Sequence, residues 1–200
     1  FKDIMVGLTG LDALQAQDLY TYFSANPSKI TTVVISLTIA ISESSLPLLA
    51  TLDKRKEKEQ IGQTIAQNIE LMLVILLPSS LLLAVLAWEV NGVFFPFSQL
   101  GAHLLAYALV TSIALAVFTD LFTVIQSLGE HKLAVRYLTL GIVLKLALQV
   151  PLTYTFGAYG ALTATALSFA LISLGVYGHI KHKYLVRGQL KNVKLNIVIN

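Results

Sequence analysis

The sequence predicts an all-α membrane protein with five bilayer-spanning helices, and three observations support this fold class. Hydrophobic residues make up 56% of the 200 residues and charged residues only 12%, whereas soluble domains average about 45–50% and about 25%. Five apolar stretches each reach the roughly 20 residues that a helix needs to cross the hydrocarbon core of a bilayer. Lysine and arginine are concentrated in alternate connections between these stretches, as is typical of membrane proteins.

The five predicted spans follow one another closely. They cover residues 30–52, 65–87, 102–128, 133–156 and 158–180. Helix is the expected conformation because lipid offers no partner to an unpaired backbone group, and the stretches are too long and continuous for barrel strands. Gly129 lies at the end of the third span, and Gly157 with Gly160 predicts a tight turn between the last two. Gly160 also starts a run of small residues that permits close helix packing.

The basic residues predict the orientation of the spans. Eleven of the 14 lysines and arginines lie in the loop after the first span, around the turn between the third and fourth, and in the tail. Because short loops rich in these residues stay in the cytoplasm, we expect loops 53–64 and 129–132 and tail 181–200 to be cytoplasmic. This placement explains the net charge of +3 without nucleic acid as a partner. The expected location is the cell membrane, with membrane lipid as the surroundings.

The two ends of the chain differ from the spans. Residues 1–29 mix acidic, amide and apolar side chains, which indicates an interfacial segment on the outer face or the end of a preceding span. Residues 181–200 are basic with scattered apolar positions, which favours a linker on the cytoplasmic surface. The chain begins with Phe1 and lacks the pattern of a signal peptide. We therefore expect an internal segment of a longer protein.

Three ionisable residues lie inside predicted spans, where a charge commonly costs about 2.5–3.5 kcal/mol and indicates function. Glu43, Asp120 and Lys145 are predicted to lie roughly 13, 12 and 18 Å from the cytoplasmic ends of their helices, at 1.5 Å per residue. Each belongs to a polar or small-residue stripe at helical spacing. The stripes are Thr32, Ser36, Glu43 and Pro47; Ser112, Ala116, Asp120, Thr123 and Ser127; and Gly141, Lys145 and Gln149.

Two interpretations of these stripes remain open. In the first, they line a water-filled cavity, with Glu43 facing the water. In the second, Asp120 and Lys145 pair across neighbouring helices and only fix the packing. Pro78 is expected to kink the second span, and the hydroxyls of Ser79 and Ser80 can satisfy the backbone groups it frees.

The sequence offers no signature of an enzyme. The chain has no cysteine, and its four histidines lack metal-ligand spacing on one helix face. It also lacks a glycine-rich phosphate loop, a cluster of acidic loop residues and a GxSxG motif. We therefore expect no catalytic residue, no metal and no cofactor.

The order of short motifs resembles the multidrug/oligosaccharidyl-lipid/polysaccharide flippase superfamily over about residues 19–184. The motifs are Ser-Leu-Pro-Leu-Leu at 45–49, Gln-Ser-Leu-Gly at 126–129, the mid-membrane Lys145, and Phe-Gly-Ala-Tyr-Gly-Ala at 156–161 followed by Leu-Thr-Ala-Thr. The most similar branch is that of the polysaccharide biosynthesis and stage V sporulation B-like proteins, which includes lipid II flippases. The resemblance implies a bundle of two six-helix lobes, or 14 helices in all, working by alternating access, with the five spans matching helices eight to twelve.

The resemblance also implies a substrate, an anionic lipid-linked saccharide such as lipid II or an undecaprenyl-pyrophosphate oligosaccharide. In that family a basic residue near the start of the eighth helix faces the cavity, and Lys29 lies closest to this place. Other functions stay open. A cation-coupled multidrug antiporter of the same superfamily would use Glu43 and Asp120 for a cation or proton. A membrane-embedded saccharide polymerase or a non-transporting scaffold would each lack the motif order's support.

Overall fold

The computed structural model describes residues 26–94 and 99–185, and throughout these ranges the chain is helical. The predicted segment 1–29 and the predicted tail 181–200 therefore lie mostly outside the described residues. The helices are α1 (Asn26–Arg55), α2 (Lys58–Val85), α3 (Ala87–Phe94), α4 (Gln99–Ser127) and α5 (His131–Ile180), and a π-helical turn (Lys181–Leu185) follows α5. By length and composition α1, α2, α4 and α5 can each cross a membrane, so the described chain is a set of multi-pass membrane helices.

Helix α5 holds two of the predicted spans, joined at Gly157. Gly157 has a positive φ of 58° and non-helical ψ of −133°, a conformation that costs other residues energy because of their Cβ atom. The arm 131–156 and the arm 158–180 then run antiparallel, since the Tyr137 hydroxyl donates to the Gly175 carbonyl at 3.3 Å. Gly160 permits their close approach, because a Cβ there would lie 1.8 Å from the Leu152 carbonyl oxygen. The hairpin gives five membrane-crossing segments in all.

Helix α4 forms the centre of the bundle. Half of its most apolar stretch is buried (50%), against 22% or less in α1, α2 and α5. It packs against α1, α2, α3 and α5, with Leu104, Leu105, Leu109 and Val124 fully buried. A central helix must therefore carry small or apolar residues on every side, with polar residues placed only where a neighbour can satisfy them.

Two local features differ from the expectation. Residues 87–94, predicted as part of a loop, form the short helix α3 against the start of α4. Helix α2 runs on continuously through Pro78. The Ser79 hydroxyl donates to the carbonyls of Ile75 at 2.6 Å and Leu76 at 3.1 Å, whereas the buried Ser80 hydroxyl has no hydrogen-bond partner among the described residues. Helix α1 likewise continues through Pro47.

Candidate functional site

Helix α1 has two faces of opposite character. Its packed face carries Val34, Leu49 and Leu52 together with the polar Thr38 and Ser42, all nearly inaccessible. Its other face is exposed and carries a polar stripe, which we call the α1 stripe: Lys29, Thr32, Ser36, Glu43 and Pro47. At 100° per residue the stripe lies within about 60° of arc, opposite the packed face. The most polar surface of this membrane helix thus points away from its own bundle.

The packed face of α1 contributes to a buried polar network with α2 and α4. Ser42 donates a hydrogen bond to Oδ1 of Asp120, and Nδ2 of Asn68 donates to the same oxygen at 2.8 Å. The Ser45 hydroxyl donates to Oδ1 of Asn68 at 3.1 Å. Asp120 is fully buried, and its Oδ2 has no hydrogen-bond partner among the described residues. The network ties three membrane helices together through one carboxyl group.

The predicted pairing of Asp120 with Lys145 is wrong for the described residues, where the ion pairs involve Glu130. The physical reason is the direction of Asp120. Phe118 packs against Phe169 of α5, with ring centroids 4.8 Å apart, and Asp120 is two residues further along α4. Two residues rotate the side chain by about 200°, so Asp120 points away from the hairpin that carries Lys145.

The predicted similarity in depth can be followed from contact to contact. A Cβ on Gly141 would lie 3.4 Å from the ring of Phe169, which packs against Phe118, two residues before Asp120. Lys145 is four residues beyond Gly141, a rise of about 6 Å. Asp120, Glu43 and Lys145 therefore lie at neighbouring levels but on different sides of the bundle. Lys145 and Gln149 are half-buried on the first arm of α5, on the face towards the second arm.

The second stripe, on α4, lies inside the bundle rather than on a surface. Ser112, Ala116 and Asp120 are buried, and Thr123 and Ser127 are half-buried. Their hydroxyls donate to carbonyls of the preceding turn of the same helix, for example Thr123 to Thr119 at 2.8 Å. Of the three predicted stripes, the structure therefore exposes the one on α1 that carries Glu43.

A further polar cluster lies where the α4–α5 turn meets the π-helical turn. The Glu130 carboxylate accepts hydrogen bonds from Lys183 Nζ at 2.6 Å and the Tyr184 hydroxyl at 2.9 Å, and His179 Nε2 lies 3.4 Å away. Burial alone would raise the pKa of Glu130, but these hydrogen bonds and the positive charge of Lys183 lower the pKa below its ordinary value. The preceding Gly129 has a positive φ of 71°, which permits the tight turn that places Glu130.

Sequence reasoning missed the partners of both acids. Ser42 and Asn68 are ordinary polar residues within apolar stretches, and the useful signal was that each lies at the depth of Asp120 on a neighbouring span. For Glu130 the signal was its isolation, because no aspartate or glutamate follows it in the sequence. Among the described residues, no group of three or more potential ligands could hold a metal ion.

Comparison with known proteins identifies relatives over most of the chain. The family model of the lipid II flippase MurJ matches residues 27–199. The chain is 27% identical over 172 residues to the lipid II flippase MurJ of Bacillus subtilis (strain 168), an alignment that covers 84% of this chain and 31% of that protein. It is 26% identical over 144 residues to the probable low-salt glycan biosynthesis flippase Agl15 of Haloferax volcanii, covering 72% and 30%.

The chain thus spans less than a third of the length of these curated relatives. No solved structure matches it significantly. The predicted flippase superfamily is confirmed, and the family consists of membrane transporters rather than enzymes. Because the family match extends over nearly all of the described helices, this chain belongs to the lipid II flippase MurJ family.

Proposed function

We propose that this chain forms one wall of a pathway along which a lipid-linked saccharide crosses the cytoplasmic membrane. The observation that carries the proposal is the α1 stripe, a polar helix face that its own bundle leaves exposed. Glu43 lies near the middle of this face. The adjacent Ser42 is buried and bonded to Asp120, so α1 is fixed with Glu43 on the outside.

The membrane makes this arrangement informative. A carboxylate facing the middle of the lipid commonly costs about 2.5–3.5 kcal/mol, and the hydroxyls of Thr32 and Ser36 would add to that cost. Polar faces of membrane helices therefore line water-filled cavities or contact other protein. A cavity that opens in turn to either side of the membrane would give the α1 stripe water without exposing it to lipid.

The substrate class is supported by the comparisons and by charge. One relative is named for lipid II and the other for a glycan, which favours a lipid-linked saccharide over a drug as the cargo. Lys29, exposed at the first described turn of the α1 stripe, suits the anionic phosphate groups of such a lipid. Glu43 is placed deeper along the same stripe, where a coupling cation or proton would meet it.

Complementation tests the proposal. The complete protein should restore growth to cells depleted of their own lipid II flippase. A Glu43→Leu variant, which replaces the charge within the α1 stripe, should restore it poorly. Val143→Leu is the matched control, because Val143 is exposed on an apolar helix face and its replacement should leave complementation unchanged.

Two outcomes would count against the proposal. If the complete protein reaches the membrane but does not rescue the cells, a carrier of capsular polysaccharide or exopolysaccharide becomes the better assignment. If Glu43→Leu rescues as well as the unchanged protein, the α1 stripe does not line the pathway. Western blotting of membrane fractions separates both outcomes from loss of the protein.

A further inference from the structure

The α5 hairpin brings basic residues from two distant parts of the sequence to one end of the bundle. The basic patch consists of His131, Lys132 and Arg136 at the start of the first arm, and Lys181 and His182 just after the second. All five side chains are exposed. They share one end of the bundle because the arms are antiparallel, as the hydrogen bond between Tyr137 and Gly175 requires.

The positive charge of the basic patch has no nearby compensation. Residues 131–200 contain eight of the 14 lysines and arginines and none of the 11 acids. Glu130, just before the first arm, is already engaged by Lys183 and Tyr184. The loop after α1 differs, because its basic residues are interleaved with Asp53, Glu57 and Glu59. Charge at the two basic sites of this bundle end is therefore balanced in one and unbalanced in the other.

Lys132 and Arg136 are one helical turn apart, a spacing at which like charges repel and destabilise the helix. Above them, the same face of the first arm is apolar and exposed, with Val143 58% and Val150 65% accessible. At 100° per residue these four side chains lie within about 40° of arc. Two cations thus stand beneath an apolar strip on one helix face, which matches the phosphate and the acyl chains of a phospholipid.

We infer that the basic patch binds the headgroup of an anionic phospholipid, whose chains lie along the exposed apolar face of the first arm. The Arg136 guanidinium can donate two parallel hydrogen bonds to a phosphate, and Lys132 adds a point charge. This site is separate from the α1 stripe, which lies on a helix that packs against α2 and α4. It does not depend on the function proposed above. If this end is cytoplasmic, as the basic loops predict, the patch faces the leaflet rich in anionic lipid.

Lipid titration of the purified, delipidated full-length protein tests the inference, with native mass spectrometry as the readout. The double variant Lys132→Gln/Arg136→Gln should bind phosphatidylglycerol about 30-fold more weakly, given about a fivefold contribution from each basic residue near an anionic surface. Its binding of phosphatidylcholine should not change. The matched control Lys54→Gln/Arg55→Gln removes the same charge from the balanced loop and should change phosphatidylglycerol binding less than about twofold.

A charge-preserving swap, Lys132→Arg/Arg136→Lys, should retain phosphatidylglycerol binding and thereby exclude misfolding as the cause of the loss. The inference is overturned if the control variant loses as much affinity, since net charge would then be the cause. It is also overturned if phosphatidylcholine binds the unchanged protein equally well. Displacement of phosphatidylglycerol from the patch by undecaprenyl pyrophosphate at equal concentration would assign the site to the transported lipid instead.

Discussion

Ser42 and Glu43 are neighbours in sequence with opposite surroundings, and this difference carries the functional argument. Ser42 is 1% accessible and donates to Asp120, while Glu43 is exposed on the other side of the helix. The network around Asp120 satisfies polar groups from three helices, and removal of a partner of a buried hydrogen bond typically costs about 1–3 kcal/mol. Such a network fixes the rotation of α1 and so determines which residues form the α1 stripe.

At this scale we predict that a cysteine at position 43 reacts with a charged, membrane-impermeant thiol reagent in the full-length protein. The chain itself has no cysteine, and the reactive thiolate forms in water rather than in lipid. Val143→Cys is the control, because it lies near the same depth and is also exposed, but on an apolar face. Labelling at position 43 should be at least about tenfold faster. Equal rates at the two positions, or protection of position 43 from both sides of the membrane, would rule out water at Glu43.

The residues that the sequence could and could not place differ in kind. Glu43 was predicted to face water because its helix shows a polar stripe, and that stripe is indeed exposed, although the water itself remains a prediction. Asp120 was assigned to a similar stripe, but an α4 at the bundle centre buries every face. Periodicity identifies which residues share a face, whereas the neighbour of that face depends on the packing of other helices.

At the scale of elements, the α5 hairpin shows how glycine determines the path of the chain. The sequence predicted the break at Gly157 from two glycines, and it placed the other long helices because each needs about 20 apolar residues. It missed α3, since an eight-residue helix is too short for a clear hydrophobic period. The continuous course of α2 through Pro78 was also missed, because packing and serine hydroxyls compensate for the missing backbone donor.

Gly160→Ala should destabilise the hairpin. Its new methyl group would lie 1.8 Å from the Leu152 carbonyl oxygen, and overpacking of this kind costs about 1–3 kcal/mol. Gly178→Ala provides the opposite expectation on the same arm, because nothing lies within 4 Å of its Cβ position and alanine favours helix over glycine by about 0.5–1 kcal/mol. Melting temperatures of the two purified variants should therefore move in opposite directions. A rise in both would mean that the arms are further apart than described.

At the scale of the whole molecule, Glu130 connects the turn between α4 and α5 to the π-helical turn after α5. Tyr184 is buried against the ends of α1, α2 and α4, so the carboxylate joins the hairpin to the rest of the bundle at its basic end. The same contacts set the direction in which the chain leaves the last described helix. One acid, among the many bases of this end, thus orders three segments that are more than 50 residues apart in sequence.

This contact should make part of the stability depend on pH. Because the pKa of Glu130 is lowered in the folded protein, its stabilising effect is complete above the ordinary carboxyl pKa of about 4.3 and disappears as the pH falls through the lower, folded-state value. Glu130→Gln should lower the melting temperature by about 2–4 °C near neutral pH, for a loss of about 1 kcal/mol. The difference from the unchanged protein should shrink below about pH 4. Glu89→Gln, at an exposed acid on α3, should show no difference at either pH, and a deficit of Glu130→Gln that persists in acid would mean that shape rather than charge holds the segments together.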